Sequence, residues 1–170
     1  MIELLVVIVI IGILAGMGIA QYKQTVYKAQ EAKALAEMAQ IKKAIRLLEV
    51  ETGKTIGGFS IGTCVQNPEF KMVGCAGGLL CKEEVAKPTN SGQEFDFGKK
   101  WAGPYIDKSV LIDPWGTPYE FDWDFVCYNN PKYAQKECNG KSVISAIMSY
   151  GPDRSGSYKD NIIIPFCVPK

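Results

Sequence analysis

The feature that most constrains this chain is an uncharged apolar run at its amino-terminal end. Between Leu4 and Ala20 no side chain is charged, and Glu3 lies directly before the run. As an α-helix, about seventeen residues rising 1.5 Å each span roughly 25 Å, which is close to the thickness of a bilayer core. A carboxylate at the edge of such a segment is costly unless something pairs with it. The run therefore predicts a helix that lies in lipid or among other copies of itself, with a partner for Glu3.

The helical pattern continues beyond this run as an amphipathic segment that ends near Gly53, a plausible C-cap. Its apolar residues follow the i, i+3, i+4, i+7 spacing of one helix face: Ala34, Leu35, Met38, Ile41, Ala44, Ile45 and Leu48. Basic residues are predicted to fill most of the other faces. One helix from Ile2 to about Val50 would be about 70 Å long, whereas a compact domain of this size is only about 30 Å across. The sequence therefore predicts an apolar helix over residues 1–20 that projects from the molecule, an amphipathic helix over 21–53 and a head over 54–170.

The head is predicted to be a small antiparallel β-sheet, which makes the fold class α+β. Alternating or short apolar segments predict strands at Glu120–Phe125, Ser142–Ser149 and Asn161–Ile164. The glycine-rich segment 57–78 is predicted to be a loop. We expect the apolar face of the sheet to pack on the second half of the long helix.

The cysteines predict disulfide bonds formed in an oxidising compartment. The chain has six cysteines and no histidine, and all six follow the helical segment: Cys64, Cys75, Cys81, Cys127, Cys138 and Cys167. No Cys-x-x-Cys spacing occurs, so a zinc or thioredoxin-like site is not predicted. The sequence does not choose among the fifteen or so possible pairings. Cys127 with Cys138 has the best local support, because the two flank a turn-rich segment.

The composition argues against two broad classes of function. The net charge of +1 gives no basic surface for nucleic acid. No histidine is available as a general base, which argues against an enzyme. Asp122 and Asp124 lie two residues apart on a predicted strand and could imitate a catalytic pair, but we expect them on an exposed polar face.

Several motifs resemble those of one superfamily. The segment Ile2–Ala15 resembles the amino-terminal segment of type IV pilins and type II secretion pseudopilins. In the head, Gly103-Pro104-Tyr105, Asp113-Pro114-Trp115-Gly116 and Ser149-Tyr150-Gly151-Pro152-Asp153 occur in the order found in the major pseudopilin. The resemblance covers the helix and residues 103–161, whereas the cysteine-bearing loop from Gly53 to about Ser91 is not part of it.

The resemblance implies a mode of assembly. Such proteins are inserted in the bacterial inner membrane as single-pass proteins with a periplasmic head, processed and methylated by a prepilin peptidase, and assembled into a helical homopolymer by inner-membrane machinery. Glu3 aligns with the acid that neutralises the terminal amine of a neighbouring subunit. Family chains usually carry Phe-Thr before the position of Met1, so we expect residues of the mature protein to precede those given. Ala20 stands where many relatives carry proline.

The resemblance also implies a calcium site near the carboxyl end. Over Tyr150–Asn161, Asp153 and Asp160 would supply the charge, and the main-chain oxygen of Tyr150 with Ser155 or Asn161 would complete an oxygen shell. Arg154 and Lys159 place two positive charges in the same loop. The alternative is a polar turn in which the two aspartates pair with these basic residues.

The sequence therefore predicts a non-enzymatic filament subunit, in the first place the major pseudopilin of a type II secretion system. One alternative is a major type IV pilin used for adhesion, motility or DNA uptake. A second alternative is a monomeric, membrane-anchored periplasmic binding module.

Overall fold

The computed structural model describes residues 2–53, 56, 69–81, 100–122, 125, 145–156 and 159–166. Within these residues, one helix, α1 (Ile2–Thr52), precedes four strands. The strands are β1 (Glu69–Lys71), β2 (Glu120–Asp122), β3 (Ser145–Ser149) and β4 (Ile162–Phe166). Short 3-10 turns lie at Ala76–Gly78 and Lys108–Leu111. The predicted α+β class, with a long helix and a small antiparallel sheet, is confirmed.

The end of α1 is fixed by a local cap. The Thr52 hydroxyl donates to the Leu48 carbonyl at 2.7 Å, and the Gly53 N–H donates to the Glu49 carbonyl at 2.9 Å. Gly53 has a φ of 69°, in the left-handed region that glycine adopts without steric cost. The helix therefore stops at the glycine that the sequence indicated.

The four strands form one antiparallel sheet in the order β1-β2-β3-β4. Phe121 on β2 pairs with Phe70 on β1 and with Ile147 on β3, and Ile147 pairs in turn with Ile164 on β4. Pro165 lies on the edge strand β4, where a missing N–H is tolerated. Strand β1 lies within the segment 57–78, for which the sequence predicts a loop, because three residues are too few to show an alternating pattern.

The core is the interface between one face of α1 and the sheet. Ala34, Met38, Ile41, Ala44, Ile45 and Leu48 are buried there, as their spacing predicted. On the sheet side the largest buried side chains include Tyr119, Phe121 and Ile147. Leu35 was wrongly assigned to this face, because its side chain is 42% exposed.

The face of α1 that lies opposite the core is more apolar than the sequence analysis predicted. Each residue turns an α-helix by about 100°, so one set of exposed residues lies on the side opposite Ile41 and Ile45. This set, the outer stripe, consists of Ala32, Ala36, Ala39, Lys43, Leu47 and Val50. Lys43 is its single charged member.

The carboxylates of β2 are buried, which corrects the expectation of an exposed polar face at Asp122. Both Glu120 and Asp122 are at most 5% exposed, and Glu120 accepts a hydrogen bond from the Tyr150 hydroxyl. Buried carboxylates of this kind require hydrogen-bond partners. Asp124 lies outside the described residues. The two predicted acids are therefore not an exposed pair.

Polar contacts fasten the head to the helix at several places. The buried Tyr119 hydroxyl donates to Glu37 Oε2 at 2.8 Å, and Lys33 Nζ lies 3.6 Å from Glu37 Oε1. Near the end of α1, the Tyr105 hydroxyl donates to Glu51 Oε2 at 2.8 Å. Burial, and then the bonded Glu37 carboxylate, raise the pKa of Tyr119 above its usual value of 10.0. Burial and the Glu51 carboxylate likewise raise the pKa of Tyr105.

We expect Tyr119→Phe to weaken the head–helix contact and to change its response to alkali. Loss of a hydrogen bond to a charged group should lower the free energy of unfolding by about 1.5 kcal/mol at neutral pH. A tyrosine whose pKa is raised by folding stabilises fully below about pH 10 and loses that contribution as pH rises above it, by up to about 1.4 kcal/mol per pH unit. The variant should therefore lose stability less steeply above pH 10 in melts of the full chain. Tyr22→Phe, at a side chain that is 71% exposed, is the control; coinciding alkaline limbs for wild type and Tyr119→Phe would contradict this account.

Candidate functional site on the stem and the C-terminal loop

The amino-terminal part of α1 has no cover from the described part of its own chain. Between Ile2 and Leu14, the exposed fractions of the large apolar side chains run from 48% at Val6 to 80% at Ile2. Burial begins near Ala34, about 50 Å along the helix from Ile2. This exposed segment, Ile2–Leu14, is here called the N-terminal segment. It is a surface that water solvates poorly and that requires an apolar environment.

Glu3 lies in the first turn of α1 and is exposed. A carboxylate there interacts favourably with the positive end of the helix dipole. No ion pair joins it to another of the described residues. Its role as an assembly residue stays a prediction.

Among the described residues, no helix is both long enough and apolar enough to span a bilayer.

In the head, the carboxylate of Asp113 holds a turn against strand β3. Asp113 Oδ1 accepts hydrogen bonds from the N–H groups of Trp115 at 3.1 Å and Thr117 at 2.7 Å. Its other oxygen, Oδ2, accepts from the Ser149 hydroxyl at 2.6 Å. Gly116 completes the turn with a φ of 87°. The buried carboxylate is therefore satisfied by two backbone donors and one hydroxyl.

The same turn carries Trp115 to the helix. Trp115 is buried, and its ring centroid lies 6.4 Å from that of Tyr27 on α1. Asp113 provides the link to the sheet, and the aromatic contact of Trp115 is with the helix.

Ser149 also directly precedes the loop over residues 150–161 that was predicted to bind calcium, here called the C-terminal loop. Its Oγ accepts from the Gly151 N–H at 3.1 Å while it donates to Asp113. Gly151 has a φ of 68°, and a Cβ there would lie 2.4 Å from the main-chain oxygen of Asp160. Glycine is therefore required where the two ends of the loop meet.

The loop brings residues Asp153 and Asp160 close to each other. The Asp153 N–H donates to Asp160 Oδ2 at 3.1 Å. The carboxylate of Asp153 accepts from the Ser155 N–H at 2.7 Å and from the Ser155 hydroxyl at 2.9 Å. Ser155 and main-chain donors therefore hold the described part of this turn.

Three buried polar atoms of this loop lack a hydrogen-bond partner among the described residues. They are Asp160 Oδ1 and both side-chain polar atoms of Asn161, Oδ1 and Nδ2. Buried oxygens without partners are costly, and carboxylate and amide oxygens are ligands that a hard cation such as calcium takes. The fit is partial, because only two carboxylates are present and the described residues include no cluster of three metal-binding side chains. Tyr150 is engaged through its hydroxyl with Glu120.

One disulfide lies in the described part of the head. Cys75 and Cys81 are bonded, with Cα atoms 5.0 Å apart. The loop that they close presents two carbonyls to the core side: Gly78 accepts from Trp101 Nε1 at 2.7 Å, and Leu79 accepts from the Tyr105 N–H at 2.8 Å. The other predicted cysteines, including the favoured pair Cys127 and Cys138, lie outside the described residues, as do Cys64 and Cys167.

The head of this chain is similar to a known protein family. The family of type II secretion system protein G matches residues 82–163, just under half of the chain. The match confirms the predicted resemblance to the pseudopilin superfamily, and it includes the Asp113 turn and the C-terminal loop. It starts at residue 82, which leaves the loop closed by Cys75 and Cys81 outside it. Comparisons with curated proteins and with solved structures gave no match.

We expect Gly151→Ala to destabilise the head more than Gly116→Ala. Both glycines have positive φ values, so each substitution should cost about 1 kcal/mol of backbone strain. At Gly116 nothing lies within 4 Å of the added methyl group, whereas at Gly151 it meets the Asp160 backbone. The clash with the Asp160 backbone adds to the strain at Gly151, so the total loss in free energy of unfolding there should be about 2–4 kcal/mol. Thermal melts of the full chain measure both, and equal losses would show that the loop ends can separate freely.

Proposed function

We propose that this chain is a structural subunit of a helical pseudopilus, the major pseudopilin of a type II secretion system. The family match supports a type II secretion pseudopilin subunit. The main support for a filament is the exposed N-terminal segment, because the head covers only the second half of α1. A monomer in water would expose this apolar surface, which is strongly unfavourable.

The free energy of removing the N-terminal segment from water is consistent with subunits that enter the polymer from a membrane. Burying a large apolar side chain away from water contributes about 1.5–3 kcal/mol, so the segment is strongly driven out of water. Transfer from lipid to a bundle of like helices gains much less. The subunit would therefore wait in the inner membrane with its head in the periplasm, and assembly would need driving by the inner-membrane machinery after processing by a prepilin peptidase.

The head is consistent with this location and with a mechanical role. The Cys75–Cys81 bond requires an oxidising compartment such as the periplasm. The family match supports a structural subunit. In the filament, Glu3 would neutralise the terminal amine of a neighbouring subunit, because a carboxylate in an apolar bundle needs a cation.

A second candidate is a major type IV pilin on the cell surface. The observation in its favour is the disulfide-closed loop of Cys75–Cys81, which lies outside the match to the secretion family. Additional loops of this kind would change the outer surface of a filament without changing its core.

We further propose that the C-terminal loop binds calcium. The support is the pair of carboxylates, Asp153 and Asp160, together with the unpartnered buried oxygens of Asp160 and Asn161. A divalent ion there would stabilise the carboxylates and the loop ends that meet at Gly151.

We expect Glu3→Ala to abolish fibres while leaving the head folded. Electron microscopy of native preparations should show helical fibres from the unsubstituted chain, because its N-terminal segment must be covered. The variant should remain in the membrane with an unchanged melting point for the head. Undiminished fibre yield would remove the proposed role of Glu3, and dispersed, membrane-anchored monomers of the unsubstituted chain would instead support a binding module.

We expect calcium to raise the melting point of the full chain in detergent. A ligand that binds only the folded form at about one hundred times its dissociation constant adds about 2.7 kcal/mol. Asp160→Asn should abolish the response to calcium, and Glu31→Gln, on α1, should preserve it. Identical melting curves with calcium and with a chelator would rule out the site.

A further inference from the structure

The outer stripe of α1 has no cover from the described residues. Leu47 is 49% exposed and Val50 is 81% exposed, although the same turns of the helix bury Ile45 and Leu48 on the other side. The second half of α1 therefore has two opposite apolar faces. One face packs on the sheet, and the other is free.

Lys43 is the one charged residue on the outer stripe. Unlike the other basic residues in this part of α1, it has no hydrogen bond or ion pair with another of the described residues. Lys33 lies 3.6 Å from Glu37, and Arg46 donates to Glu49 at 2.8 Å. Lys42 donates to the Pro165 carbonyl at 3.0 Å. Lys43 is exposed and has no ion pair among the described residues.

The N-terminal segment has the complementary pattern. Glu3 is its single charge, and Val7 and Ile10 follow at i+4 and i+7. On the outer stripe, Leu47 and Val50 follow Lys43 at the same i+4 and i+7 spacing. Residues with this spacing lie on one helix face, so each surface has one charge at the start of an apolar ridge.

We propose that the outer stripe binds the N-terminal segment of a second copy of this chain, with Glu3 of that copy paired to Lys43. This inference rests on the proposed filament, in which all copies leave the same membrane and point in the same direction. In a parallel pair, Val7 of the second copy lies beside Leu47 of the first, and Ile10 of the second lies beside Val50 of the first. The shift is forty residues, so the two copies are displaced by about 60 Å along the helix axis.

The pairing removes two costs together. Glu3 receives a cation inside an apolar bundle, and its second oxygen remains free to accept from a terminal amine. The exposed side chains of Leu47 and Val50 leave water against side chains of matching size. Because the N-terminal segment is otherwise uncharged, the ion pair is the contact that selects one axial position.

Photocrosslinking in native fibres tests the arrangement. With p-benzoylphenylalanine in place of Val7, trypsin digestion should release a crosslink to the peptide of residues 47–54 from another copy. The probe at Val9, about 200° around the helix from Val7, is the control and should not label that peptide. A crosslink from Val7 to the peptide of residues 34–42 would indicate an antiparallel pair and would overturn the proposal, as would any other main product.

Charge variants give an independent test. Lys43→Glu should reduce fibre yield by about tenfold because it places two carboxylates together, and Lys43→Arg should retain the yield. Lys23→Glu is the matched control, since Lys23 is exposed on the opposite side of the helix. Equal yields for the two Glu variants would overturn the pairing even if fibres form. If the unsubstituted chain forms no fibres at all, the proposed function fails, and the inference fails with it.

Discussion

The packing of α1 on a sheet that is much shorter than the helix is the constraint on which the rest of the structure depends. The strands have three to five residues each, and their core contacts on α1 begin near Ala34. A helix of 51 residues is roughly 75 Å long, so the sheet covers less than half of it. The head is stable because Met38, Ile41, Ile45 and Leu48 are buried together, and the remaining apolar length must find its partners elsewhere.

Carboxylates that accept from main-chain N–H groups shape the head. Asp113 holds the turn before β2, Asp153 holds the C-terminal loop, and Asp107 caps the short turn at Lys108–Leu111. Hydrogen bonds from Ser109 lower the pKa of Asp107 and keep it charged. Glu49 does the same beyond the end of α1, where its Oε1 accepts from the Ile56 N–H at 3.2 Å. Because the strands of the head are short, these carboxylates stabilise turns and loops that would otherwise depend on hydrogen bonds between longer strands.

Periodic features could be predicted from the sequence, and contacts between distant residues could not. The core stripe follows from the helical period, but Leu35 lies at the margin of that face and period alone did not exclude it. The burial of Asp122 depends on what surrounds the sheet, which alternation of residue types does not show. Within the site, the resemblance pointed to Asp153 and Asp160, and the structure brings them together. The Asp113–Ser149 bond joins residues 36 positions apart, and no local pattern indicates it.

The charges on α1 also explain how apolar surfaces can assemble with defined geometry. Contact between two uncharged apolar helices changes little in free energy when one slides along the other, because each turn offers similar side chains. A single carboxylate on one surface and a single ammonium on the other make one position much better than its neighbours, since every other position leaves both charges unpaired in an apolar setting. In the proposed filament, Glu3 and Lys43 would therefore matter less for the strength of the bundle than for its register. The same reasoning accounts for an acid in a segment that would otherwise be more stable without one.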